Sequence, residues 1–337
     1  MALHDATRRR AGACLEPERL MPQQIAINIK TQAYHRMLGE RFTLHDCTAG
    51  YAHLTETERA AVRVLITAGF KGATGAEMDE LPNLGLICCV GTGYEGIDVQ
   101  AAIDRGIRVT HGAGVNAGAV ADHAMALLLS VVRCIPHQDR LTRSGAWNYT
   151  ETPRPLVSRK KMGIFGMGGI GAALARRATA FDIEVSYHSR SPKPELPYAY
   201  VPSLLELAGR VDYLVACVPG GAATQHAVNA EVLAALGPQG YLFNVGRGTV
   251  VDTDALIAAL QAGTLKGAGL DVFEHEPEVP AALCALENVV LTPHMAGNAP
   301  EVQQMATDLM CDNIAAFTAG APLVTPVPEM RALATAG

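Results

Sequence analysis

The chain has 337 residues, of which 49% are hydrophobic and 18% charged, and its formal net charge is −6. One hydrophobic core rarely serves more than roughly 250–300 residues, so two domains are expected. The negative charge disfavours a nucleic-acid surface, and the longest largely apolar run, residues 124–132, is far shorter than the ~20 residues that span a bilayer. The eight cysteines include no C-x-x-C pair, which disfavours metal sites and disulfides. We therefore expect a cytoplasmic protein with reduced thiols, no metal, and neither nucleic acid nor membrane as a partner.

The first 20 residues differ from the rest of the chain. They lack the apolar stretch of a signal peptide and carry Asp5, Glu16 and Glu18, which a transit peptide avoids. We expect residues 1–20 to form a dispensable, disordered tail. The alternative is that they precede the native start at Met21.

Between residues 25 and 111, short apolar runs alternate with helical patterns. Strands are predicted at residues 25–29, 42–45, 62–66, 86–90 and 108–111, and helices, among others, at 57–61, 76–81 and 99–105. Strands that alternate with helices form a parallel sheet with helices on both faces. This region is therefore predicted to be one small α/β domain.

A long helix is predicted at residues 119–133, where apolar residues recur at helical spacing. Asn116 precedes it, in the position of a capping residue. The following segment, residues 138–157, is polar and contains the single tryptophan, Trp147. We predict that it is an excursion from the domain body rather than a core element.

A glycine-rich turn follows the strand predicted at residues 162–165. It leads directly into a helix-forming run, and strand, turn and helix in this order are the context of the dinucleotide-binding fingerprint. Gly166 permits the tight turn, Gly168 lets the backbone approach a pyrophosphate, and Gly171 lets the helix pack against the strand. The predicted cofactor loop consists of Gly166, Met167, Gly168, Gly169, Ile170 and Gly171.

From this turn onward a second α/β series is predicted. Its six strands lie at residues 162–165, 183–188, 211–218, 241–245, 267–270 and 289–291, with helices at 170–180, 230–236, 254–261 and 301–317. Six such strands form two mononucleotide-binding halves. The predicted fold is α/β, with two doubly wound parallel sheets and a cleft between them. The last helix returns to the first sheet, so residues 21–116 and 297–330 form a flavodoxin-like substrate domain and 117–296 a Rossmann domain.

Four charged side chains follow strands of this second sheet. Arg247 follows the strand at 241–245, Asp271 and then Glu276 follow the strand at 267–270, and His294 follows the strand at 289–291. Ligands of open parallel sheets bind outside the carboxyl ends of the strands. Because the glycine turn lies at the same rim, an arginine, an acid and a histidine that meet there indicate a catalytic site.

Five motifs in this order resemble the D-isomer-specific 2-hydroxyacid dehydrogenases, in particular bacterial glyoxylate/hydroxypyruvate reductases. They are VGTGYEGID (residues 90–98), GMGGIG (166–171), NVGRGTVVD (244–252), GLDVFEHEP (269–277) and LTPHMAGN (291–298). The resemblance covers about residues 21–328. It implies an NAD(P)-dependent oxidoreductase that forms a homodimer, with the segment that contains Trp147 as the dimer arm.

The family's catalytic residues fall on Arg247, Glu276 and His294. The planar guanidinium of Arg247 would bind the substrate carboxylate, His294 would protonate the carbonyl oxygen, and Glu276 would favour and orient the imidazolium. Asp271 either contacts the nicotinamide side or caps its strand end. The substrate-binding set implied by the resemblance is Val90, Gly91, Thr92, Gly93, Arg247 and His294.

The residues after the second Rossmann strand select the cofactor. An NAD enzyme has Asp or Glu about 20 residues after the glycines, where it binds the ribose 2′-hydroxyl. Here His188 takes that position, and Ser189 and Arg190 can bond a 2′-phosphate; hydrogen bonds to charged groups contribute ~1.5–3 kcal/mol each. We predict a preference for NADP(H), with NAD(H) use left open. Further implied cofactor contacts are Val218, Pro219, Thr224, Val245, Gly246, Arg247, Asp271, His294 and Gly297.

The predicted reaction is the NADPH-dependent reduction of a small 2-oxo acid, glyoxylate or hydroxypyruvate, to the D-2-hydroxy acid. Two alternatives stay open. One is a reductase of another 2-oxo acid, such as phenylpyruvate or a sugar-derived acid, because nothing in the predicted pocket loops near residues 50–53 and 70–72 decides the substrate. The other is a non-catalytic NAD(P)-sensing protein, which can retain the same three residues.

Overall fold

The computed structural model describes residues 23–147 and 153–330. The predictions for the tail at residues 1–20, for Met21 and for residues 148–152 of the polar excursion lie outside these residues.

The first sheet is parallel and has the strand order β2-β1-β3-β4-β5. This order is that of flavodoxin-like folds, so the predicted fold of this region is confirmed. Helices on both faces keep the central strands almost wholly buried. Strands β1 to β5 are Gln24–Ile27, Thr43–Asp46, Val62–Thr67, Leu86–Cys89 and Arg108–His111, and helices α1 to α4 are Gln32–Gly39, Glu56–Ala61, Gly75–Asp79 and Val99–Asp104.

Two of these helices are very short and begin with capping boxes. Thr55 and Glu58 exchange side-chain and backbone hydrogen bonds at the start of α2, and Thr74 and Glu77 do the same at α3. Helices of five or six residues are marginal by themselves. The capping boxes satisfy N–H groups that would otherwise lack partners, and so help to fix where each helix begins.

The second sheet is parallel, with the order β8-β7-β6-β9-β10-β11-β12 in the described residues. This is the Rossmann order 3-2-1-4-5-6 with one further strand, so the predicted fold is confirmed. The prediction of six strands was wrong by one. The missed strand, β8, has only two residues, which is too short to produce an alternating pattern. Strands β6 to β12 are Lys161–Phe165, Glu184–His188, Ala199–Tyr200, Tyr213–Ala216, Tyr241–Asn244, Gly267–Leu270 and Val289–Leu291.

The remaining helices cover this sheet and connect it to the first. Asn116 does not cap α5: its side chain bonds no N–H group of the helix, and its φ of −98° and ψ of 0° are not the extended conformation of a capping residue. The capping prediction was therefore wrong. Helices α5 to α12 are Ala117–Val132, Ile135–Arg143, Gly169–Ala180, Leu204–Ala208, Ala230–Leu236, Thr253–Gln261, Ala281–Cys284 and Pro300–Thr318.

The polar segment after α5 contains a helix, α6, that the sequence pattern did not predict. No residue of α6 is buried, and Trp147 is 86% exposed, as expected for an excursion. The excursion is shorter than predicted, because Val157 is buried in the core of the second sheet. Over the described ranges no single helix is long and apolar enough to cross a membrane, although α5 and α6, bent by 63°, meet that criterion as a pair.

The terminal helix α12 packs on the first sheet. Met310, Ile314 and Phe317 share a core with residues of β1, β3 and β4. The Phe317 ring lies under the guanidinium groups of Arg63 and Arg108, at 5.3 and 4.6 Å from its centroid. The return of this helix follows the expected path, and the residue numbers of the domain boundaries stay a prediction.

Candidate active site

The glycine turn between β6 and α7 forms an open cradle. Gly166 has a φ of +104°, and a Cβ there would lie 2.7 Å from Cγ1 of Val218. A Cβ on Gly171 would lie 2.1 Å from the carbonyl oxygen of Gly166, so only glycine permits this helix–turn contact. At Gly168, in contrast, a Cβ would meet nothing within 4 Å. The turn thus leaves open space beside the N-terminus of α7, where free N–H groups suit a pyrophosphate.

The end of β7 lies beside this turn, since the N–H of Gly166 donates to the carbonyl of His188 (2.9 Å). The His188 ring is a packing group: its Nδ1 lies 2.9 Å from the carbonyl oxygen of Val201, and the ring stacks on Phe165 and Tyr200. Because a carbonyl only accepts, Nδ1 carries the proton. The Ser189 hydroxyl donates to the carbonyl of Ser191 (2.8 Å). His188 is therefore fixed by its packing.

Arg190 extends from the same strand end and is exposed. The positions that correspond to the acid of an NAD enzyme, residues 188–190, carry no carboxylate. Nothing in this short stretch repels a 2′-phosphate, and an exposed guanidinium is free to approach one.

His294 and Glu276 are paired at the rim of the second sheet. Nδ1 of His294 lies 2.7 Å from Oε2 of Glu276, and the other carboxylate oxygen accepts from the N–H of Phe273 (3.0 Å). The His294 side chain is 42% exposed, and its backbone has a φ of +49°. The pairing directs the Nδ1 proton to the carboxylate and leaves Nε2 for a substrate.

Asp271 holds the turn that carries His294. It is 1% exposed and accepts hydrogen bonds from the hydroxyl of Thr292 (2.6 Å) and the N–H groups of Met295 (3.0 Å) and Ala296 (2.9 Å). Nε2 of His123, on α5, reaches the Thr292 hydroxyl at 2.9 Å. With these contacts Asp271 caps the end of β11, which is one of its two predicted roles. The alternative role, on the nicotinamide side, stays a prediction.

Arg247 reaches across to the first sheet. Its Nε donates to Oε1 of Glu95 at 3.1 Å and its Nη2 to Oε2 at 3.4 Å. A Cβ on Gly93 would lie 1.8 Å from Nη2 of Arg247. The predicted substrate loop and the predicted carboxylate-binding arginine, more than 150 residues apart in sequence, are thus in contact.

The loop of residues 90–93 is held by polar contacts with His111 and Asn116. Nδ1 of His111 lies 2.8 Å from the carbonyl oxygen of Thr92, and the Thr92 hydroxyl lies 2.9 Å from Oδ1 of Asn116. A Cβ on Gly297 would lie 3.2 Å from Nδ2 of Asn116. Asn116, for which sequence reasoning gave only a capping role, therefore bridges the substrate loop and the segment after His294.

Among the other predicted cofactor residues, Val218 lies against Gly166 of the glycine turn. Val218 and Val245 are buried at the ends of β9 and β10, and a Cβ on Gly246 would lie 2.5 Å from the carbonyl oxygen of Val218. The Thr224 hydroxyl donates to the carbonyl of Pro219 (2.8 Å). Val218 therefore borders the cradle, and Gly246 packs against Val218.

Sequence reasoning missed Glu95, His123, Thr292 and Tyr200. Glu95 lies inside the VGTGYEGID motif, where an acid between two glycines after a strand was a usable signal. His123 looks like an ordinary polar position of a long helix, and Tyr200 belongs to the missed strand β8. No local pattern marks these last two, because their partners come from distant parts of the chain.

A Rossmann sheet with an open glycine cradle, a histidine–carboxylate pair at its rim and an arginine that reaches a second parallel sheet are together typical of one class of protein, the two-domain dinucleotide-dependent oxidoreductases. Residues 125–296 match the NAD binding domain of the D-isomer specific 2-hydroxyacid dehydrogenases. The chain belongs to this family.

Known relatives resemble the chain over most of its length. It is 43% identical over 268 residues to hydroxyphenylpyruvate reductase of Plectranthus scutellarioides, covering 79% of this chain and 86% of the relative. It is 41% identical over 275 residues to glyoxylate/hydroxypyruvate reductase A of Arabidopsis thaliana, covering 81% and 88%. The NADPH-dependent glyoxylate/hydroxypyruvate reductase of Sinorhizobium meliloti, solved with NADP and malonate, has a TM-score of 0.83 and 40% identity, covering 91% and 97%.

Proposed function

We propose that this protein reduces a small 2-oxo acid, glyoxylate or hydroxypyruvate, to the D-2-hydroxy acid with NADPH. The observation that carries the proposal is the contact between Arg247 and the loop at Gly93, together with the His294–Glu276 pair at 2.7 Å, which follows neighbouring strands at the same rim of the second sheet. Arg247 and the loop suit a substrate carboxylate, and the His294–Glu276 pair suits a carbonyl oxygen. Relatives that carry glyoxylate/hydroxypyruvate reductase in their names support the same substrate class.

In the proposed mechanism Arg247 and the backbone of residues 90–93 bind the substrate carboxylate. The guanidinium presents parallel N–H donors that match a carboxylate in two places. Small residues at Gly91 and Gly93 let the backbone N–H groups approach an anion. Binding at two points fixes the orientation of the 2-oxo group relative to the second sheet.

His294 acts as the general acid. Its Nε2 donates a proton to the carbonyl oxygen as that oxygen gains negative charge. Glu276, bonded to Nδ1 at 2.7 Å, fixes the plane of the ring and leaves Nε2 directed away from the carboxylate. When bound, the reduced nicotinamide supplies the hydride. In the reverse direction His294 accepts the proton from the hydroxy acid.

The open space at Gly168 and the N-terminus of α7 fit the pyrophosphate of a dinucleotide. For the adenosine end we propose Ser189 and Arg190 as the 2′-phosphate contacts, and therefore NADP(H) as the preferred cofactor. The exposed Arg190 and the absence of an acid at residues 188–190 support this choice. The Sinorhizobium meliloti relative is described as NADPH-dependent and was solved with NADP.

A second candidate substrate is an aryl 2-oxo acid such as hydroxyphenylpyruvate. Phe70 is 89% exposed, on the loop whose Gly69 carbonyl accepts from the N–H of Gly96 (2.8 Å), next to the substrate loop. An exposed aromatic side chain at that place favours contact with an aromatic ring. The relative from Plectranthus scutellarioides is named for this substrate.

We further propose a homodimer formed through the segment after α5. Ile135, Trp147 and Leu156 are 50%, 86% and 61% exposed, and exposed large apolar side chains in one segment favour a protein interface. Light scattering at micromolar concentration would give twice the monomer mass. A monomer mass would contradict this proposal.

The experiment that tests the function follows the absorbance of reduced nicotinamide in the presence of NADPH or NADH and a panel of 2-oxo acids. The panel contains glyoxylate, hydroxypyruvate, phenylpyruvate, hydroxyphenylpyruvate and 2-ketogluconate. The highest kcat/KM with glyoxylate or hydroxypyruvate is the expected result, and a preference for the aryl acids would favour the second candidate. Cofactor binding without turnover on any of these acids would indicate a non-catalytic NAD(P)-sensing protein.

A further inference from the structure

Glu95 and Arg247 form an ion pair that connects the two sheets. Glu95 follows β4 of the first sheet and Arg247 follows β10 of the second. Two donor–acceptor contacts join them, Nε to Oε1 at 3.1 Å and Nη2 to Oε2 at 3.4 Å. The two side chains are 41% and 33% exposed, so the pair lies at the opening between the sheets rather than in a core.

The segment that carries Glu95 is held rigidly on the first sheet. The N–H of Gly96 donates to the carbonyl of Gly69 (2.8 Å), and the N–H of Ala73 donates to the carbonyl of Gly96 (3.2 Å). The thiol of Cys89 donates to the carbonyl of Gly93 (3.1 Å). A Cβ on Gly96 would lie 2.5 Å from the carbonyl oxygen of Gly69, which shows how closely the two loops pack. The Glu95 carboxylate therefore extends from a fixed base.

Three of the five N–H donors of the Arg247 guanidinium are hydrogen-bonded within the protein. Glu95 takes the side edge of the guanidinium, formed by Nε and Nη2, and the carbonyl of Gly246 accepts from Nη1 at 2.8 Å. A guanidinium has five N–H donors. The two that remain are one on Nη1 and one on Nη2, and no acceptor among the described residues is bonded to either of them. Donors on these two nitrogens can form the end edge of the guanidinium, a two-donor fork of the shape that fits a carboxylate.

We propose that Glu95 is a positioning residue for the reaction: it fixes the plane of Arg247 so that the end edge of the guanidinium faces the substrate. This inference rests on the proposed function, in which Arg247 binds the carboxylate of a 2-oxo acid. Glu95 itself does not touch the reacting atoms. It removes in advance the rotational freedom that Arg247 would otherwise lose when substrate binds.

The negative charge of Glu95 acts on KM in the direction opposite to positioning, and this difference makes the proposal testable. A carboxylate close to the site repels an anionic substrate, so if repulsion were its main effect, removing the charge would lower KM. Positioning predicts the reverse. An unrestrained arginine side chain carries rotamer entropy that corresponds to a loss on the order of 10- to 30-fold in kcat/KM. A misplaced guanidinium lowers kcat as well as raising KM.

The experiment compares Glu95→Ala and Glu95→Gln with the wild type. Glu95→Gln keeps one oxygen to accept from Nε but loses the acceptor for Nη2. The matched control is Glu80→Ala, which removes an ion pair with Arg59 of similar exposure on the first sheet, away from the opening. Steady-state kinetics are measured with the 2-oxo acid that gives the highest wild-type turnover, at saturating reduced cofactor.

Glu95→Ala is expected to raise KM for the 2-oxo acid and to lower kcat, with a smaller loss in Glu95→Gln. The cofactor KM and the Tm should stay as close to wild type as those of Glu80→Ala, which a merely structural role of Glu95 would not predict. Unchanged kinetics in Glu95→Ala, or a lower KM, would overturn the proposal. A wild-type chain that turns over no 2-oxo acid would contradict the proposed function and the positioning role together.

A spectroscopic measurement tests the pair without relying on turnover. In protein labelled with ¹⁵N-arginine, the Nε–H signal of Arg247 is assigned by its loss in Arg247→Lys. Bonding to the Glu95 carboxylate should protect this proton from exchange, and Glu95→Ala should abolish the protection. An equally fast exchange in wild type and Glu95→Ala would show that the ion pair does not hold Arg247.

Discussion

Gly168 and Gly171, three residues apart in one turn, are expected to fail in different ways when replaced by alanine. A Cβ on Gly171 would lie 2.1 Å from the carbonyl oxygen of Gly166 and 3.2 Å from Cγ2 of Ile164. Backbone cannot move aside cheaply, so the substitution overpacks the contact between α7 and β6. A Cβ on Gly168 meets nothing within 4 Å, so the fold tolerates it.

The magnitudes follow from these contacts. Overpacking lowers the free energy of unfolding by about 1–3 kcal/mol, whereas replacing a helical glycine by alanine raises it by about 0.5–1 kcal/mol. Gly171→Ala should therefore destabilise by up to about 2.5 kcal/mol, with a central value slightly above 1 kcal/mol that corresponds to roughly 2–5 °C in Tm for a unit of this size. Gly168→Ala should leave stability within about 0.5 kcal/mol. Its methyl group would occupy the space for the pyrophosphate, and losing one charge-assisted hydrogen bond raises the cofactor Kd about 10- to 100-fold.

Differential scanning calorimetry gives the Tm of each variant, and titration of NADPH fluorescence gives the Kd. Gly39→Ala is the control, because a Cβ there lies at an ordinary 3.8 Å from Leu44, far from the turn. An unchanged Kd in Gly168→Ala would refute the path of the pyrophosphate over this residue. An unchanged Tm in Gly171→Ala would refute the close contact between helix and turn.

His294→Gln should lower kcat at least about 100-fold, the usual contribution of a general acid, with cofactor Kd nearly unchanged; a variant that keeps most of its turnover would exclude the proton-transfer role. Arg190→Ala should lower kcat/KM for NADPH about 10- to 100-fold and leave that for NADH unaltered, and an unreduced NADPH preference would contradict the 2′-phosphate contact. Phe317→Ala should destabilise by about 3–5 kcal/mol, because the ring is 8% exposed between α12 and the first sheet; calorimetry that shows no drop in Tm would contradict this packing. Burial raises the pKa of the Cys89 thiol to about 11, so at pH 8 it stays protonated and iodoacetamide should label the exposed Cys284 first. Mass spectrometry that finds Cys89 labelled equally fast would contradict its burial.

Most of the fold could be predicted because its signals are local. Strands β11 and β12 have the bounds predicted from short apolar runs, and Gly166 and Gly171 have the φ and the close contact that the fingerprint requires. Strand β8 was missed because a two-residue strand has no period. Its existence depends on pairing with β7, which no local pattern describes.

The sequence pattern named residues of the candidate site, but it did not predict which contacts each of them makes. The order of motifs placed Arg247, Glu276 and His294 at strand ends, and parallel topology brings strand ends to one rim. Whether a polar residue caps, packs or pairs depends on what lies opposite. Asn116 bonds Thr92 instead of its helix, and His188 stacks between aromatic rings.

The sequence by itself determined the two parallel sheets, the glycine turn and the identity of the residues at the strand ends, because backbone conformation and apolar periodicity depend on near neighbours in the chain. Only the tertiary structure decided that Glu95 of one sheet lies 3.1 Å from Arg247 of the other, and that Asp271 and Thr292 hold the turn of His294. Those contacts join residues that are distant in sequence, and the packing of the two sheets sets the distances between them.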